Sequence, residues 1–99
     1  MRLIVLLCLP LAACASPAPQ FFGAQRHDIT LSGIDFVVFH KEDRAEVIRL
    51  GYLSRRARAP VPALMVEAAE RTTGCRVIPG SAVTGLPGDT GEVRLELDC

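Results

Sequence analysis

The chain has 99 residues, which limits it to one small domain. Its 11 Lys and Arg are balanced by 11 Asp and Glu, and it has 5% aromatics and no Trp. It therefore lacks the basic field of an electrostatic nucleic-acid binder and the ring surface of a base-stacking one. A domain this small has difficulty burying enough surface to be stable without a further constraint.

The apolar residues are concentrated at the N-terminus. In residues 1–13, 11 are hydrophobic, Arg2 adds a positive charge beside Met1, and Pro10 is followed by small side chains. That order of basic, apolar and small residues is the anatomy of a secretory signal peptide. A membrane-spanning helix needs about 20 apolar residues, roughly twice this run. Without these 13 residues the remaining chain is ordinary in hydrophobic content and nearly neutral, with 10 basic against 11 acidic residues.

Leu11-Ala12-Ala13-Cys14 closes the signal. All four positions resemble the lipobox of bacterial lipoproteins, in which Leu and two small residues precede a Cys. The resemblance covers only this N-terminal stretch and implies a diacylglycerol on the Cys14 thiol, cleavage before it, and acylation of the new amino group. Small side chains suit an extended peptidase substrate, and the thiolate is the strong nucleophile nearby. Cys8 is excluded as the modified residue by the bulk of Leu7 before it. Each buried methylene contributes about 0.8 kcal/mol, so two or three acyl chains hold far better than one. Ala15 rather than Asp follows Cys14, which by the same resemblance favours the outer membrane, with the domain facing the periplasm. The alternative is ordinary signal-peptidase cleavage after Ala15, because Ala13-Cys14-Ala15 also has small residues at alternate positions, and this would release a soluble secreted protein.

Residues 14–26 read as the anchored Cys followed by a tether, stiffened by Pro17 and Pro19. The folded domain is expected over residues 27–99. In residues 27–31, Ile29 and Leu31 share one face, and Ser32-Gly33 signals a turn. Residues 34–39, Ile-Asp-Phe-Val-Val-Phe, have almost no polar face, which predicts a central strand. Lys41-Glu42-Asp43-Arg44 is a solvated turn, and residues 45–53 form a second strand of the same hairpin, with Glu46, Ile48, Leu50 and Tyr52 on one side. A basic connector carrying Arg55, Arg56 and Arg58 follows. Pro62 suits the first turn of a helix and Gly74 its C-terminal cap. Between them Val61, Leu64, Met65, Ala68 and Thr72 recur at helical spacing, and Glu67 can pair with Arg71 at i, i+4.

Residues 79–91 hold four Gly and two Pro and read as a loop. Residues 92–99 alternate strictly, with Val93, Leu95, Leu97 and Cys99 on one face. Residues 75–78 offer a short partner strand. With Cys75 opposite Cys99, Val77 falls opposite Leu97 and Arg76 opposite Asp98, so apolar meets apolar and opposite charges meet. Once the signal removes Cys8 and lipid occupies Cys14, Cys75 and Cys99 remain, and an oxidising compartment favours a disulfide between them. The spacing lacks the Cys-x-x-Cys of a redox pair and the further close ligands of a zinc site. The prediction is an α+β fold: a small antiparallel sheet of four to five strands with one helix on one face, in the order β(β)β-α-ββ.

Chemical motifs are sparse. Asp89-Thr90-Gly91 matches the aspartic-protease triplet but follows Pro87-Gly88 rather than a strand, so it reads as a turn. His27 and His40 have acidic neighbours on opposite faces of a strand, which does not gather ligands. Ser32, Ser54 and Ser81 lie in no nucleophile-elbow pattern. No cofactor or metal set is expected. The favoured function is a non-catalytic binding or structural module of the cell envelope, with the membrane and an envelope protein as partners; a small periplasmic enzyme is the alternative. Two contact surfaces suggest themselves: Arg55, Arg56 and Arg58 against anionic headgroups, or the outward apolar residues of 34–39 against a protein.

Overall fold

The computed structural model describes residues 17–85 and 89–99. The chain order is β1 (Gln25–Leu31), β2 (Ile34–Lys41), β3 (Arg44–Arg49), α1 (Val61–Thr73), β4 (Arg76–Val77) and β5 (Glu92–Asp98), with 3₁₀ turns at Pro19–Phe21 and Arg56–Arg58. This is the expected α+β architecture. The five strands form one antiparallel sheet in the order β1-β2-β3-β5-β4.

β1 and β2 are joined by Ser32 and Gly33, both at positive φ, the backbone a two-residue type I′ hairpin needs. β3 stops at Arg49, short of the expected residue 53. Leu50 still donates its N–H to the Asp35 carbonyl in register (2.9 Å), but Gly51, at φ 84°, then turns the chain away, and Tyr52 is 86% exposed. Gly74 caps α1 in the left-handed conformation, φ 76°, and donates its N–H to the Glu70 carbonyl at 3.0 Å. The helix places Val61, Met65, Ala68 and Ala69 on the sheet, where they meet Phe36, Val38, Val47, Val93, Leu95 and Leu97. Glu67 and Arg71 pair at 2.8 Å on its outer side.

The register expected at the C-terminus is the one found, with Arg76 opposite Asp98 and Val77 opposite Leu97. Cys75 and Cys99, one step further, are joined by a disulfide with a Cα–Cα distance of 4.4 Å. That spacing is the close approach of a non-hydrogen-bonded antiparallel pair.

The opposite face of the sheet is also covered. Phe21, in the 3₁₀ turn before β1, is 2% exposed and lies on Val37 and Phe39, with Ala18, Ala24, Ile48 and Leu50 around it. Gly23, at φ 84°, then turns the chain into β1. Residues 18–26, read from sequence as tether, are therefore a packed strap followed by the start of a strand. The strap also occupies the apolar side of β2 that the sequence offered as a partner surface: Val37 is 0% and Phe39 6% exposed.

Two stability measurements follow. Phe21→Ala should cost about 3–5 kcal/mol in urea unfolding, whereas Phe22→Ala, at a position 62% exposed, should stay within about 0.5 kcal/mol of wild type. Equal losses would show that the strap is not part of the core. Reducing the Cys75–Cys99 bridge, which spans 24 residues, should cost roughly 3.5 kcal/mol, and thiol titration of the unreduced, denatured domain should detect neither cysteine.

Candidate functional site

The strap divides the second face of the sheet. On one side it meets the segment after β4, which continues along the outer edge of β5. Val83 exchanges two 2.9 Å backbone hydrogen bonds with Arg94, and the Glu96 N–H is bonded to Ser81 Oγ at 3.1 Å. Between strap and edge lies an open groove of about 340 Å³, whose lining includes Gln20, Phe21, Arg44, Ser81, Arg94 and Glu96.

Strand alternation explains the charges gathered there. Arg44 and Glu46 are two apart on β3, as are Arg94 and Glu96 on β5, so all four side chains share this face. In register, Arg44 stands opposite Glu96 and Arg94 opposite Glu46. Neither guanidinium forms a hydrogen bond or ion pair among the described residues. Glu46 is instead buried beneath the strap, 4% exposed, where Oε1 accepts the Ala18 N–H at 2.8 Å. Burial raises its pKa above the ordinary 4.5; the Ala18 N–H and Arg94 oppose the rise, and the neighbouring Glu92 carboxyl adds to it.

Glu92 lies on the same face of β5, two residues before Arg94. Its Oε1 accepts the Gly85 N–H at 3.1 Å, but its buried Oε2 has no donor. That acceptor beside Glu46 favours the protonated form of Glu46. The arrangement combines a seated strap, a carboxyl pair beneath it, and two guanidinium groups beside it free to meet an anion.

The residues singled out from sequence are scattered. Cys14 lies outside the described residues. Arg58 donates to the Leu53 carbonyl at 3.0 Å and lies 6.0 Å from the Tyr52 ring centre, so it serves its own connector; Arg55 and Arg56 are exposed. The connector's 3₁₀ turn packs against α1, in the layer opposite the strap. Asp89 accepts the Gly91 N–H at 2.7 Å, a local turn as expected of that triplet. His40 bonds the Glu42 carbonyl through Nε2 at 2.8 Å, and a ring nitrogen lies within 4.8 Å of both cysteine sulfurs. Those sulfurs are bonded to each other and offer the imidazole no thiolate. Glu46, Glu92, Arg44 and Arg94 were missed, although one signal was present: Glu46 alternates with Ile48 and Leu50 on what would otherwise be an apolar strand face.

No protein-family model, curated protein or solved structure matches this chain. Among the described residues, no helix is long and apolar enough to cross a membrane.

The carboxyl pair makes a signed prediction. Because the folded pKa of Glu46 is raised, the folded state holds more protons than the unfolded one above pH 4.5. Its stabilisation is complete below that value and lost as pH rises through the raised pKa. Glu46→Gln keeps an acceptor for Ala18 and gives Glu92 a permanent donor. It should therefore be more stable than wild type at neutral pH in urea titrations, with the gap closing as pH falls towards 4.5. A gap that widens on acidification would reverse the assignment.

Proposed function

We propose that this protein is a cell-envelope lipoprotein, anchored through acylated Cys14, whose domain is a non-catalytic binding module held close against the membrane. The observation that carries this reading is the position of Ala18. Only four residues beyond Cys14, it is hydrogen-bonded to buried Glu46 and packed beside Phe21. Four residues reach at most about 14 Å. A lipid on Cys14 would therefore draw the strap face of the domain to the headgroup region, not suspend it on a long linker.

Several features support binding over catalysis. The groove offers cationic walls, an amide and an apolar rim, a combination that suits recognition of an anionic group. Ser81, the hydroxyl in its lining, is committed to the Glu96 backbone. The absence of Asp after Cys14 favours the outer membrane and a domain facing the periplasm.

Mass spectrometry of the native mature protein tests the anchor. The expected N-terminus is Cys14 carrying acyl chains, and Cys14→Ser should move the protein from the membrane to the soluble fraction. An unmodified chain beginning at Ser16 would overturn the reading in favour of ordinary secretion.

A further inference from the structure

We propose that the groove between the strap and the segment after β4 receives the phosphate of an anionic lipid headgroup, with Arg44 and Arg94 as its cationic walls and Phe22 as an apolar foot in the same leaflet. The inference rests on anchoring through Cys14 and adds the contact that anchoring brings within reach.

Four observations converge on this surface. Arg44 and Arg94 line the groove, and neither guanidinium forms an ion pair or hydrogen bond among the described residues. Lys41 stands opposite Arg44 in the β2–β3 register and donates through Nζ to the Phe22 carbonyl at 3.1 Å, which joins the strap to this cationic edge. Phe22 is 62% exposed, although Phe21 beside it is buried. Finally, Ala18 on the same strap lies within about 14 Å of the lipid-bearing position.

An exposed Phe, like the Trp, Phe and Leu of interfacial helices, can bury its apolar ring at the headgroup/acyl boundary. Each basic residue near an anionic surface strengthens attraction about fivefold, and the effect dies away within a Debye length of 8–10 Å at moderate salt, so only charges held close matter. Three carboxyls share the face of the arginines, and none forms an ion pair with them; Glu92 accepts the Gly85 N–H at 3.1 Å. Glu46 is turned under the strap towards Ala18, and Glu96, opposite Arg44, is exposed without forming an ion pair. The Arg55 and Arg56 side chains are carried on a connector that packs against α1, in the other layer of the molecule.

The sequence contains no Trp, so Phe22→Trp in the full lipidated chain provides a single fluorescent reporter. The protein is placed in nanodiscs of zwitterionic phosphatidylcholine, or of phosphatidylcholine mixed with phosphatidylglycerol. The expected result is a blue-shifted emission, quenched by brominated lipid, that is stronger in the anionic discs and reversed by high salt. Arg44→Gln and Arg94→Gln should each lower the docked-to-undocked ratio about fivefold, and Arg55→Gln with Arg56→Gln should leave it unchanged. The salt titration reads the same contact without a mutation, should either groove variant fold poorly.

An acylated protein whose reporter ignores lipid charge would overturn the groove assignment while leaving the anchor intact. A chain without acyl groups on Cys14 would overturn both. A response lost with Arg55 and Arg56 instead would put the contact on the connector. An Arg94-dependent response to inorganic phosphate in neutral discs would make the ligand a soluble anion, and either result overturns the groove as the lipid site.

Discussion

β2 is apolar on both of its faces, and each face has to be removed from water by a different part of the chain. Phe36 and Val38 point towards α1; Val37 and Phe39 point the other way. A single helix can cover only one side of a sheet. The remaining face is covered by the 3₁₀ turn around Phe21. The position of the strap follows, and so do the burial of Glu46 beneath it and the groove alongside it.

Burying Glu46 has consequences that an apolar residue there would not. The carboxylate gives the strap a polar partner, since Ala18 has a backbone N–H that would otherwise be covered without an acceptor. Desolvation of the same group and the neighbouring Glu92 carboxyl favour its protonated form, while the Ala18 N–H favours the carboxylate. The strap bond and the burial it requires therefore act on Glu46 in opposite directions. A carboxyl shared between two strands and a strap also couples the N-terminal segment to the ladder between β3 and β5, some of the most thoroughly buried structure in the domain.

Much of the fold was legible because it depends on local periodicity. The strict alternation of β5 fixed both its burial pattern and the pairing of Val77 with Leu97. The helix was delimited by Pro62 and Gly74, whose backbone preferences act over a few residues. The strap was not legible, because nothing in residues 17–24 repeats. Its cause lies elsewhere in the chain, in the uncovered faces of Val37 and Phe39, and Pro17 and Pro19 suggested a linker. β3 was overextended for a related reason: alternation continues through Leu50 and Tyr52, but after Leu50 bonds Asp35 in register the chain turns at Gly51, φ 84°, and leaves the ladder. The groove cations were invisible one strand at a time. Arg44 and Arg94 lie 50 positions apart and meet only because β5 pairs with β3 before β4. The conspicuous cluster at Arg55, Arg56 and Arg58 is contiguous in sequence, yet part of it is consumed by its own connector.

Placing the cover for β2 on the segment that leads back to Cys14 links folding to attachment. A free linker leaves a domain's orientation undetermined, because its chain can satisfy any anchor position with little loss of entropy. Here any movement of the domain away from an anchored Cys14 beyond the reach of residues 15–17 has to peel Ala18 from Glu46 and then Phe21 from Val37 and Phe39. The first step strips the Ala18 N–H of its acceptor, and the second opens a core the size of a buried Phe, about 3–5 kcal/mol by the cost of deleting one. That resistance exceeds thermal energy several-fold, so the strap acts as a stop rather than a spring. With Cys14 anchored as proposed, the domain would present one face to its leaflet, and a weak, salt-sensitive headgroup contact would then be sufficient to fix its remaining tilt.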